Sequence, residues 1–253
     1  QEQLVAHHFN ADLQVALAAL PTVTETAKPA LIPAGRSELA AGKELNAARA
    51  DSGAKASIDV LRSVMKAGGV QILENEELGD VSGSAWTEAG AIDHLGHDRG
   101  LRFVHEVDRE ITQIAARVRS LLDAGWETVQ VVTDHGWLLV PGGLQKIELS
   151  PAVYEPGGRK GRCARLKPGA EVPVDTVPWY WDPTVKIAIA PGIGCFTANQ
   201  FYEHGGVSPQ ECFVPRMAVT SGARIGSQAT ISIGAVTWAG LRCKVELLNV
   251  PAG

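Results

Sequence analysis

The stretch from Leu101 to Gly136 constrains this chain more than any other. Val104, Val107, Ile111, Ile114, Ala115, Val118, Leu121 and Leu122 recur at helical spacing, which predicts an amphipathic helix from about Leu101 to Asp123, capped by Gly125. Thr128 to Val132 follows as a β-branched strand and stops at Thr133-Asp134-His135-Gly136. Val185 to Ala190 reads as a second such strand, ending at Pro191-Gly192. Helix then strand, repeated, predicts an α/β chain with a mostly parallel sheet and helices on both faces.

Around this centre the pattern is less regular. Residues 2 to 14 read as helix, because Leu4, Val5, His8, Phe9 and Leu13 are spaced for one face. Gln14 to Leu20 is an apolar run stopped by Pro21, which predicts a buried strand delivering its end to Thr22 to Thr26. From Leu39 to Lys55 the sequence is Ala-rich with no sustained apolar face, and a mobile surface excursion is expected. Residues 57 to 67 form an amphipathic helix that Gly68-Gly69 breaks before a strand at Val70 to Leu73. Ala229 to Val236 and Leu241 to Leu248 read as two further strands, too few for an independent sheet domain. The start at Gln1 and these two strands lead us to expect a piece of something longer.

Composition excludes some classes. At 253 residues the chain has the length for one domain of about 150 to 250 residues with a small appendage. A formal charge of -5, with both signs interspersed, gives no global basic surface for duplex binding. The four cysteines form no CxxC pair, so neither a thiolate zinc site nor a disulfide framework is signalled, and a reducing cytoplasm fits best. No apolar run approaches the roughly 18 to 20 residues of a membrane span.

The polar motifs fall at expected strand ends, where ligands sit in open α/β sheets. Asp134 and His135 are adjacent in a loop, so a carboxylate and an imidazole can approach one ion. Asp93 and His97 share a face if helical, or converge around a turn made possible by Gly96. His204 precedes Gly205-Gly206, paired glycines that permit close backbone approach to a ligand or metal. Each feature alone is more often an ordinary turn or an i,i+4 pair than a metal site. Together, three imidazoles and two carboxylates form a nitrogen and oxygen set suited to zinc, with manganese as the alternative. The basic run Arg159, Lys160, Arg162, Arg165 and Lys167 reads as a flexible, solvated loop that could steer an anion, with Arg162 and Arg165 as candidate substrate contacts.

The order of a Thr-containing loop, Asp93-x-x-x-His97, Thr133-Asp134-His135-Gly136 and a late His204-Gly205-Gly206 resembles the alkaline-phosphatase superfamily. Within it, His204-Gly205-Gly206-Val207-Ser208-Pro209-Gln210-Glu211 followed by Val214-Pro215 resembles the PglZ family of bacterial BREX phage-defence systems. The resemblance runs from about Leu17 to Thr220. It implies an alkaline-phosphatase-like three-layer sandwich over residues 1 to 221, followed by the beginning of a β-rich domain over 222 to 253. It assigns Asp93, His97 and His204 to one divalent ion and Asp134 and His135 to a second, zinc in both, with manganese or magnesium as alternatives. It makes Thr24 of Pro21-Thr22-Val23-Thr24 the nucleophile, with Thr22 in reserve. The aspartate that the family places upstream of its nucleophile has no counterpart here, since Asp12 lies mid-segment.

What the resemblance implies is a cytoplasmic phosphatase or phosphodiesterase forming a phospho-threonine intermediate. Its partners would be a phosphate ester, with nucleic acid, nucleotide and protein phosphate all open, and other phage-defence proteins, with no membrane. The rival is a scaffold of the same fold that docks other defence components without catalysis. A sulfatase or mutase is disfavoured, because no Cys-x-Pro-x-Arg segment stands at the nucleophile position.

Overall fold

The computed structural model describes residues 9–221, 232–239 and 242–248. The dominant helix spans Val107–Asp123; the residues before it, Gly100–His105, form a 3-10 turn. Its buried Val118 and Leu122 pack with Val219, Phe9, Ala11, Val129, Val131 and Met217 on one face of a three-stranded sheet. That contact removes the carboxyl-terminal half of the helix's apolar stripe from water and so stabilises the helix, while Ile111 nearer its start stays exposed.

The order within this sheet overturns the expected topology. Phe9–Leu17 and Thr128–Val132 do not pair; Phe213–Ser221 lies between them and is antiparallel to both. Leu17 faces Phe213, and Val132 faces Arg216. The two outer strands therefore run the same way without being neighbours. The expected mostly parallel, alkaline-phosphatase-like three-layer sandwich is thus incorrect: the sheets are small and mostly antiparallel. The segment read as helix over residues 2 to 14 is strand from Phe9 onward, with residues 2–8 outside the described residues. Nor is its apolar end buried, since Val15 and Leu17 are exposed.

A second sheet is antiparallel throughout, ordered Thr176–Trp179, Asp182–Ile189, Cys163–Leu166 and Tyr154–Arg159. The basic run is therefore a hairpin rather than a flexible loop. Both faces of this sheet are covered: Cys163, Trp179, Ile187 and Ile189 pack with Val23 and Leu45 on one side. Ala164, Leu166, Ala188 and Ala190 pack with Leu149 and Phe196 on the other. Two covered faces produce the continuous apolar run that in sequence resembles a parallel strand.

The Leu39 to Lys55 region is also more ordered than expected. Leu39–Ala41 and Ala47–Arg49 form a small hairpin, and Leu45, Ala47 and Ala48 are buried. Among the described residues, parallel pairing occurs in two short ladders, Val70–Ile72 with Ser84–Trp86 and Gln145–Lys146 with Gly194–Cys195. Ser232–Ala239 pairs with Arg242–Leu248, close to the two strands read from sequence. No helix among the described residues is long and apolar enough to cross a membrane.

The three-stranded sheet positions the site. The carboxyl ends of its outer strands and the amino end of its central strand lie at one edge. From that edge depart the loop to Thr24, the Asp134-His135 loop and, running in, the segment from His204. Ala18 N donates to Cys212 O at 2.8 Å and Gly136 N to Glu211 O at 3.0 Å, tying the three together.

Candidate metal centre and its cleft

Three threonines leave the first strand, and their surroundings separate them. Thr22 is fully buried; its hydroxyl donates to Gly206 O at 2.8 Å and accepts from Gly205 N at 3.1 Å. Thr26 is equally buried, donating to Leu45 O at 2.8 Å and accepting from Trp179 Nε1 at 3.0 Å. Both hydroxyls are consumed by packing. Thr24 opens the Thr24–Leu31 helix and faces a cleft of about 280 Å³. Its Oγ1 lies 3.1 Å from His135 Nε2.

Asp93 and His97 sit one turn apart on the Ile92–Arg99 helix. Gly96 belongs to that helix rather than to a turn, and its role is steric, since a Cβ there would overlap the ring of Tyr202. Tyr202 in turn donates its hydroxyl to Asp93 Oδ1 at 3.0 Å. Burial and the Asp93 charge push the Tyr202 pKa upward, so it remains a donor.

His204, 107 residues away from His97, closes the group. Its Nδ1 lies 2.8 Å from the Thr22 carbonyl, which can only accept, so Nδ1 carries the proton and Nε2 the lone pair. Nε2 stands 3.1 Å from His97 Nε2 and 3.4 Å from Asp93 Oδ1, and the third edge, His97 Nε2 to Asp93 Oδ1, is 3.6 Å. Ligands at about 2.0 to 2.2 Å around a tetrahedral zinc lie roughly 3.3 to 3.6 Å apart, so this triangle is close to what such an ion needs. A backbone carbonyl holding the outer nitrogen is the support that ligating histidines receive. Burial, with the neighbouring His135, pulls the His204 pKa down to about 4, which keeps the imidazole neutral.

The Asp134-His135 loop meets the same place. His135 stacks on His204 with centroids 3.9 Å apart and planes 13° apart. Its Nδ1 lies 3.0 Å from Gly136 O, which by the same reasoning leaves the Nε2 lone pair toward Thr24. Asp134 Oδ2 is 3.6 Å from that nitrogen. All five residues singled out as ligands thus converge with Thr24. Among the described residues, a group of three His, Cys, Asp or Glu ligands within reach of one ion occurs at Asp93, His97 and His204. Asp134 and His135 offer two donors.

The expected substrate contacts are misplaced. Arg162 has a side chain 1% exposed and forms a two-pronged ion pair with Glu211, Nε to Oε1 at 2.7 Å and Nη2 to Oε2 at 3.0 Å. It also donates to the Gly192 and Gly194 carbonyls. Arg165 donates to Gly42 O and Glu44 O, pairs with Glu155 and lies 4.8 Å over the Trp179 ring. Neither is free to bind a substrate. Gly205 and Gly206 are likewise small for packing: a Cβ on Gly206 would press on the Arg162-Glu211 pair, and Gly205 has φ +113.

Two groups walling the cleft escaped the sequence reading. Lys160 pairs with Glu25, whose carboxyl burial pushes up but Lys160 holds below its usual range. Glu203 is pushed up to about 7 by burial and by Asp93. Its adjacency to His204 was the available signal; nothing in sequence distinguished Lys160 from its basic neighbours.

Fold and site together define an α and β chain with a candidate three-ligand metal site and a hydroxyl near it. No protein-family model matches the chain, and neither does any curated protein.

Proposed function

We propose that this chain is a metal-dependent hydrolase of phosphate esters, a phosphatase or phosphodiesterase, with Thr24 as nucleophile. The observation that supports it most is that Thr24 and the Asp93-His97-His204 triangle line one cleft, with His135 of the Asp134-His135 pair against both Thr24 and His204. Zinc at the triangle, with a second ion at Asp134 and His135, would neutralise the non-bridging oxygens and lower the proton affinity of reacting hydroxyls.

The chain's own residues supply position and order. His135 Nε2 lies 3.1 Å from Thr24 Oγ1, so an ion taking that nitrogen's lone pair would find the attacking oxygen beside it before substrate arrives. Thr24 Oγ1 bonds to phosphorus as the ester oxygen departs with a proton, giving a phospho-threonine. Water then cleaves that ester, releasing phosphate or a phosphomonoester and restoring the hydroxyl. The motif at His204 to Pro215, in its resemblance to PglZ, supports placing this reaction in cytoplasmic phage defence. There it would act on nucleic acid or nucleotide alongside other defence proteins.

A scaffold that docks defence components is the second reading. What favours it is Glu211, which belongs to the same motif as His204 yet serves a buried ion pair rather than the cleft. The test uses zinc- or manganese-loaded protein on a phosphomonoester and a phosphodiester dye, comparing wild type with Thr24→Ala and Asp134→Ala. The hydrolase reading expects losses of about 100-fold or more in kcat/KM for both variants. Equal background rates in all three would establish the scaffold instead.

A further inference from the structure

Of the five basic residues from Arg159 to Lys167, four are engaged away from the cleft. Arg162 and Arg165 are held as described, Lys167 Nζ donates to Ala152 O at 2.8 Å, and the Arg159 guanidinium lies 5.5 Å over the Tyr154 ring. Lys160 lines the cleft beside Thr24 and His204.

The turn that carries Lys160 is rigid. Its N–H donates to Cys163 O at 2.8 Å, and the next carbonyl, Gly161 O, accepts from Phe196 N at 2.6 Å and Cys195 Sγ at 2.9 Å. Gly161 is driven so close to Glu203 that a Cβ would overlap its carboxylate. From this fixed turn the side chain, 44% exposed, reaches Glu25, the residue after Thr24. Besides the imidazoles of His97 and His204, the other ionisable walls, Glu25, Asp93 and Glu203, are acidic, so Lys160 is the lysine or arginine that an incoming anion meets in the cleft lining.

We propose that Lys160 takes a non-bridging oxygen of the phosphoryl group beside Thr24, and that Glu25 holds the ammonium until the anion displaces it. The assignment rests on the hydrolase reading. A half-exposed ion pair is weakly held, so exchanging a carboxylate for a phosphoryl oxygen costs little while it removes a repulsive neighbour from the substrate. Lysine suits this exchange, since its flexible stem and point charge accept a new partner without a fixed geometry.

The test titrates the zinc-loaded full chain with inorganic phosphate by calorimetry and measures zinc content in parallel, for wild type, Lys160→Met, Lys160→Arg and Glu25→Gln. Lys160→Met should weaken phosphate binding about 10-fold or more at unchanged zinc content, as loss of a charge-assisted hydrogen bond does. Lys160→Arg should restore most of it, and Glu25→Gln should tighten binding, because the ammonium is then unheld. Wild-type affinity in Lys160→Met with zinc retained, or weaker binding in Glu25→Gln, overturns the Lys160 assignment and leaves the hydrolase reading standing. Failure of the wild type to take up zinc, and manganese or magnesium in its place, overturns the hydrolase reading, and this assignment with it.

Discussion

Arg162 and Glu211 are joined by two parallel hydrogen bonds, 2.7 and 3.0 Å, with side chains 1% and 0% exposed. Glu211 also accepts from the backbone N–H of Gly206 at 2.8 Å and of Ser208 at 3.2 Å. One carboxylate therefore fixes the loop that carries His204, while its arginine fixes the hairpin that carries Lys160. The cleft's two walls share a single buried pair.

Breaking that pair should unfold the site before it alters any ligand. Glu211→Gln leaves a buried guanidinium without its counter-charge, and such losses typically cost about 3 to 5 kcal/mol. Thermal denaturation should show a fall in Tm of many degrees and zinc uptake should weaken, although Glu211 touches no ligand. A Tm within a degree or two of wild type would show that the pair contributes nothing to stability.

Gly96→Ala provides a test in which two effects oppose. Helix propensity favours alanine by about 1 kcal/mol, but the added Cβ overlaps the Tyr202 ring. Overpacking of this kind costs roughly 1 to 3 kcal/mol, so net destabilisation is expected. Tyr202 also orients Asp93, and a weaker zinc affinity should accompany the lower Tm. A more stable variant with unchanged zinc affinity would rule out the packing argument.

What was legible in sequence follows physical lines. The Val107–Asp123 helix and the Thr128–Val132 strand were readable because each buries one face and so shows its period. The convergence of Asp93, His97, Asp134, His135 and His204 was reached through motif resemblance, not through the period. The sheet was not legible, because nothing local says that Phe213–Ser221 inserts between two strands more than 100 residues apart. Phe9 and Leu13 mimic a helical spacing, yet Phe9 and Ala11 alternate on one face of a strand. Arg162 was misread because a buried, paired arginine and a solvated one look alike in a basic run.

Thiol chemistry tests the second sheet and its surroundings. Burial pushes the thiols of Cys163, Cys195 and Cys212 above their usual range, Cys163 the furthest. Since the thiolate is the reactive form, native protein at pH 8 should leave these three unmodified by an alkylating reagent, and denatured protein should expose all of them. Site-resolved mass spectrometry reads this out. Alkylation of Cys163 at the rate of a free thiol would contradict its packing between Val23 and Ile187.

The ligand triangle makes its own prediction through linkage. An ion that binds only the folded state stabilises it by RT ln(1 + [L]/Kd), about 2.7 kcal/mol at a hundred times Kd. For a chain of this length that should raise Tm by roughly 5 to 10 °C. His204→Ala and Asp93→Asn each remove one corner of a triangle with edges of 3.1, 3.4 and 3.6 Å, so in both the triangle's share of the zinc-dependent rise should be lost at the same concentration. Asp134→Asn should keep it, because its carboxylate belongs to the neighbouring pair and contributes nothing to that triangle. Calorimetric scans of the four proteins with and without zinc decide the matter: a full rise in Asp93→Asn would show that zinc binds elsewhere.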